Sequence, residues 1–168
     1  LAAGASSFEE SDMADFEQMV DTNIKGLLFI TKLIVPGMVE RKSGHIINIS
    51  SIAGIEVYPG GSVYCATKHA VNAITKGLRI DLVKYGIKVS SISPGMAETE
   101  FSLVRYHGDA EKAKAVYSGL VPLNAEDIAD AVEFIITRPK HVSINDIQIN
   151  PAQQANTYIS FRNEQKDE

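Results

Sequence analysis

The 168-residue chain has no tryptophan and a single cysteine, Cys65. One thiol excludes an internal disulfide and suits a reducing compartment, so a cytoplasmic setting is expected. Next to Tyr64 on a helical stretch, Cys65 reads as a packing residue rather than a reactive one. The four histidines (His45, His69, His107 and His141) are scattered, with no partner at metal-ligand spacing, so no metal site is expected. Basic charge is scarce as well. Sixteen Lys and Arg against twenty-one Asp and Glu give a net charge of −5, which leaves no electrostatic footprint for nucleic acid or an anionic membrane surface. The most apolar run, "GLLFITKLIVPGMV", is interrupted by Lys32, Pro36 and Gly37, so no membrane span is expected. The opening "LAAGASSFEE" has neither the charged leader nor the apolar core of a signal peptide. None of the twelve glycines forms the glycine-rich turn that cradles a dinucleotide phosphate.

What is present is a chain 45% apolar and 22% charged, the composition of one globular domain over residues 1–168 with a frayed charged tail at 163–168. Residues 9–41 keep a period near 3.6, with Ser11–Asp12 as a start signal and an end blurred by Pro36 and Gly37. "GHIINIS" (44–50) predicts a strand buried on both faces, followed by a glycine-rich loop. A helix follows from about Ser62 to Tyr85, with Gly86 as its C′ residue. "IKVSSIS" (87–93) predicts a second strand, stopped by Pro94 and Gly95. Short helical pieces fill 98–119. Asn124 caps a helix over 125–137 whose buried side is Ile128, Ala131, Val132, Ile135 and Ile136. "INDIQIN" (144–150) predicts a third strand. Helix and strand alternate, which means βαβ units on a parallel sheet: an α/β fold, read as the C-terminal half of a Rossmann-type doubly wound parallel sheet.

In such a sheet ligands sit at the carboxyl ends of the strands. Ser50 and Ser51 end the first strand, and the loop after it leads to "GGSVYCATKHAV". There Tyr64 and Lys68 lie one helical turn apart on one face. A bland amphipathic helix would place them so too. The chemical reading is that an ammonium at ~5 Å lowers the phenol's pKa by about two units, roughly 3 kcal/mol at an effective dielectric of ~20. Ser51 would hold the substrate oxygen. Glu56 and Tyr58, in the intervening loop, are candidates to line the pocket. Asp127, Asp130 and Glu133 fall on the outward face of their helix and read as a solvated surface.

"INISSIAG", "YCATK" and "ISPG", taken as a set, resemble the short-chain dehydrogenase/reductase family over almost the whole chain. The resemblance implies Tyr64 as acid/base, Ser51 as substrate-oxygen ligand and Lys68 as the holder of the nicotinamide ribose. "DTNIKG" is similar to the segment carrying the family's asparagine, so Asn23 would anchor a proton-relaying water. Pro94 and Gly95 would flank the nicotinamide, and Thr99 would contact the cofactor. "PGMVERKSGHIINISSIAG" and "ETEFSLVRYHGD" resemble the NADP-dependent branch acting on serine, allo-threonine and other 3-hydroxy acids. That branch implies a secondary alcohol and ketone interconverted by hydride transfer with NADP (NAD being the alternative), and Arg105 meeting the substrate carboxylate. Arg105 facing solvent or pairing with Glu100 or Asp109 stays open at this point. Leu1 looks like the residue after the family's NNAG motif, so the grip on the adenosine half of the cofactor is expected outside these residues. The implied partners are a small hydroxy acid or ketone and further copies of the chain, packed through helices 9–41 and 62–85 into a dimer or tetramer. The competing expectation is an inactive remnant that serves only as an interaction module.

Overall fold

A computed structural model describes residues 1–163; most of the expected tail, 164–168, lies outside the described residues. Helix α1 (Met13–Val20) opens on Asp12, whose carboxylate accepts the Ala14 N–H at 2.9 Å. It runs through a π-helical turn, Asp21–Gly26, into α2 (Leu27–Glu40). Pro36 does not end this helix. Its fixed φ is helical, and it lies on the exposed side, where water satisfies the carbonyl it leaves free. The continuous helix Met13–Glu40 is long and apolar enough to cross a bilayer by length and composition alone, a property that helices of soluble proteins share.

Strands β1 (Gly44–Ile49), β2 (Ile87–Pro94) and β3 (Asp146–Ile149) form a parallel sheet in that order, with Ile46 opposite Val89 and Ile92 opposite Ile147. The burial expected of the first strand belongs to the second. β2 is central and almost wholly buried, whereas β1 is an edge and leaves Ile49 47% exposed. Between them, α3 (Ser62–Leu82) continues as a 3-10 turn, Val83–Tyr85, and stops at Gly86 in the left-handed region (φ 70°). α3 packs on β2 and on the 3-10 turn Ile52–Gly54 that follows β1. Short helices α4 (Phe101–Arg105) and α5 (Ala110–Ala115) fill the excursion after β2.

Helix α6 (Ala125–Ile136) starts with a reciprocal capping box, Asn124 with Asp127. Ile135 is buried as expected, but Ile136 is 57% exposed, because it falls a position past the inward stripe. Asp130 and Glu133 are exposed, and no metal-ligand cluster occurs among the described residues. One core cluster, Ile46, Leu82, Ile87 and Val89, joins the sheet to α3. Another, which includes Ala3, Met19, Ala53, Tyr64 and Cys65, joins α1 and the chain start to the head of α3.

Candidate active site

The carboxyl ends of β1 and β2 open into a cleft of about 1120 Å³. Asn23, Ser51, Tyr64, Lys68, Pro94, Gly95, Thr99 and Arg105 all line it. Parallel strands deliver Ser51 and Pro94 side by side, and the head of α3 supplies Tyr64 and Lys68 beneath them. The Ser51 hydroxyl accepts from Ala53 N–H at 3.1 Å and donates to the Pro94 carbonyl at 3.4 Å. It therefore caps the Ile52–Gly54 turn as well as facing the cleft.

Tyr64 is 8% exposed and packs against Phe101, ring centroids 5.7 Å apart. Burial pushes its phenol above the ordinary value; hydrogen bonding to Ser51 pulls it only part of the way back. The expected lowering by Lys68 is not found. The Lys68 ammonium lies 5.9 Å from the ring centroid and donates to the Ile49 carbonyl at 3.1 Å, so desolvation of the phenol outweighs its attraction. Lys68 is itself 9% exposed, and burial lowers its pKa from 10.5 to about 8. Of its three N–H donors, one has a partner among the described residues.

Asn23 sits in the π-helical turn. Its amide donates to the Leu1 carbonyl at 2.7 Å and to Thr67 Oγ1 at 3.0 Å, and Thr67 donates in turn to the Tyr64 carbonyl at 2.7 Å. The amide thus ties the π-helical turn to the chain start through Leu1 and to α3 through Thr67. Thr99 is exposed at the mouth, where its hydroxyl accepts from Phe101 N–H. Gly95 donates to the Ile149 carbonyl at 2.8 Å, and a Cβ there would overlap the Gln154 side chain.

Arg105 turns inward. Asp109 pairs with Lys112 instead, at 3.2 Å, while Arg105 donates Nε to the Gly4 carbonyl (3.1 Å) and Nη1 to the Tyr58 hydroxyl (3.0 Å). Tyr58 lines the cleft. Glu56 is not among the lining residues; its carboxylate accepts from the Thr157 N–H (3.1 Å) and hydroxyl (3.0 Å).

Sequence reasoning missed the strap after β3. Gln154 accepts from Met96 N–H at 2.8 Å, and Arg162 donates to the Ser118 and Val116 carbonyls at 2.6 and 3.0 Å. Gln154, Thr157 and Arg162 all reach the cleft. Tyr117 is another, bonded to Ser102 (2.7 Å) and to the Ala97 carbonyl (2.9 Å). These contacts join residues far apart in sequence, and no local pattern announces them.

The arrangement of a buried phenol, a hydroxyl, a desolvated ammonium and an inward guanidinium suits proton exchange with the oxygen of an anionic substrate. The NADP-dependent 3-hydroxy acid dehydrogenase YdfG of Escherichia coli (strain K12) is 45% identical over 156 residues, covering 92% of this chain and 63% of that protein. The YdfG of Salmonella typhi is 46% identical over the same length and coverage. A solved serine dehydrogenase complexed with NADP+ superimposes with a TM-score of 0.92 at 42% identity, over 98% of this chain and 66% of that one. Curated relatives such as these are matched over 61–66% of their own length. The sequence model described as short chain dehydrogenase matches residues 2–108, almost two thirds of the chain and the part that holds every site residue expected from the sequence. The chain belongs to the short chain dehydrogenase family.

Proposed function

We propose that the enzyme containing these residues interconverts the hydroxyl of a small 3-hydroxy acid and the corresponding carbonyl, using NADP. The observation that carries this reading is the convergence of Ser51, Tyr64, Lys68 and Arg105 on one cleft, with Arg105 a cation apart from the acid/base pair. NADP, when bound, supplies or accepts the hydride. The residues fit its nicotinamide end: Lys68 presents donors into the cleft for ribose hydroxyls, and the Pro94–Gly95 backbone forms a wall without bulky side chains.

Ser51 donates to the substrate oxygen, and Tyr64 Oη exchanges the proton with it. With its pKa raised by burial, the phenol holds that proton and is ready to give it to a carbonyl oxygen. Loss of the proton in the opposite direction requires a positive charge nearer the phenol than Lys68, whose ammonium is turned to the Ile49 carbonyl. Asn23 acts as a positioning residue, pinning the π-helical turn to α3 through Thr67. In this proposal a relay water would bind at the π-helical turn that carries Asn23.

Self-association through α2 and α3 belongs to the same proposal. Phe29, Leu33 and Ile80 are each more than 65% exposed on these helices, and such apolar faces are usually covered in an assembly. A cytoplasmic setting agrees with the single free, buried Cys65. The test is Tyr64→Phe, assayed with NADP and a 3-hydroxy acid. Turnover should fall by about 10²–10⁴-fold with the fold intact; a retained rate would overturn the assignment.

A further inference from the structure

Tyr58 is a cleft residue whose placement the acid/base chemistry leaves unexplained. Its hydroxyl accepts from Arg105 Nη1 at 3.0 Å, and the guanidinium carbon lies 5.5 Å from the ring centroid. The ring is seated by the glycine pair ahead of α3. Gly60 turns the chain in the left-handed region (φ 72°), and a Cβ at Gly61 would overlap the Tyr58 ring.

Arg105 is held just as firmly. Its backbone carbonyl accepts from Gly4 N–H (3.0 Å) while its Nε donates to the Gly4 carbonyl (3.1 Å). Two residues on, His107 pairs with Asp15 of α1 at 3.2 Å. Two of the five guanidinium N–H donors are spent on Gly4 and Tyr58, which leaves one on Nη1 and the pair on Nη2 without partners among the described residues. The Tyr58 oxygen accepts from Arg105, so its own O–H is left to donate. None of the described cleft-lining residues is acidic, whereas Lys68, Arg105 and Arg162 are cationic.

We propose that Tyr58 and Arg105 act as one carboxylate-binding pair, the Tyr58 hydroxyl donating to the substrate carboxylate while it accepts from Arg105. The inference rests on the 3-hydroxy acid reading above and deepens it by naming a specificity-determining residue. Both groups line the cleft that Tyr64 faces, and Tyr58 packs against the core cluster that holds Tyr64. Burial also raises the Tyr58 phenol above its ordinary value, so it remains a donor at neutral pH. Because both side chains are fixed before substrate arrives, little ordering cost is left to binding.

The experiment compares 3-hydroxybutyrate with its methyl ester, which keeps the alcohol and removes the charge. Both are assayed with NADP in the intact enzyme and in Tyr58→Phe and Arg105→Met. A hydrogen bond to a charged group corresponds to about a ten- to hundred-fold loss. Tyr58→Phe should lower the acid-over-ester preference by that factor, carried in KM for the acid rather than in kcat. Arg105→Met should abolish the preference. If Tyr58→Phe keeps the preference while Arg105→Met loses it, the role of Tyr58 is overturned and the Arg105 reading stands. Equal loss toward acid and ester in Tyr58→Phe makes Tyr58 structural and also overturns the pair. A preference that survives Arg105→Met overturns the pair and leaves the 3-hydroxy acid reading standing, whereas no turnover of either compound by the unaltered enzyme overturns that reading and the pair with it.

Discussion

The two ends of the same three-stranded sheet handle buried charge in opposite ways. At the amino ends of the strands the polar groups are used up within the fold. Arg79 donates to the Val89 and Asn145 carbonyls, both at 2.8 Å, and meets Asp146 at 3.3 Å. Lys88 donates to the Val142 carbonyl at 2.6 Å, and His45 bonds Ser90, which donates to the Ile144 carbonyl. Each of these groups ties the approach to β3 onto β2. At the carboxyl ends, Lys68 and Arg105 keep donors pointing into a cleft, although Lys68 is almost fully buried. A buried cation with spare donors is costly for a fold to keep. Saturated charge marks the structural end of the sheet and unsaturated charge the functional one.

That contrast breaks first on substitution of one cation at each end, the buried Lys68 and the half-buried Arg79. Lys68→Met should reduce turnover by at least about 10²-fold, with the unfolding free energy at pH 7 unchanged or higher, since a desolvated charge is removed. Arg79→Ala should do the reverse. Loss of its carbonyl and carboxylate bonds should cost about 1–3 kcal/mol in denaturant unfolding, with kcat/KM little altered. If Arg79→Ala removes activity while leaving stability alone, the division between the ends fails.

The pH dependence sharpens the same point. Lys68 has a pKa of about 8 in the folded chain, below its ordinary 10.5, so between those values the unfolded chain binds more protons. Stability of the cofactor-free protein should therefore rise with pH across that window, and the full cost of the buried charge should be present below it. Subtracting the profile of Lys68→Met isolates this contribution from the other groups that titrate there. A flat difference from pH 7.5 to 10.5 would remove the case for a desolvated Lys68.

A smaller effect is expected at the amino end. Burial first, then Lys88, holds His45 below 6.5, so stability should fall as pH drops through 6.5 toward the folded value. His45→Gln should flatten that slope in chemical unfolding at pH 5–7 without moving the activity profile.

The sequence was informative where a physical signal is local. Gly86 behind a long apolar-periodic helix marked the end of α3, and Asn124 marked the start of α6. Tyr64, Lys68 and Ser51 could be placed on one sheet edge from alternation and spacing alone. Pro36 misled because its exposure, which makes a helical proline tolerable, cannot be read from its neighbours. Glu56 is a candidate for the pocket wall by its place in the loop after Ser51 alone, but its carboxylate binds Thr157, 101 residues on.

By itself the sequence determined the α/β alternation, the family and which residues to propose as the reacting groups, because periodicity, caps and residue types are properties of short segments. Only the tertiary structure decided which strand is central, which way Arg105 turns, that Tyr58 stands beside it, and that burial raises rather than lowers the Tyr64 pKa. Those outcomes depend on desolvation and on contacts between distant residues, and both arise only once the chain has packed.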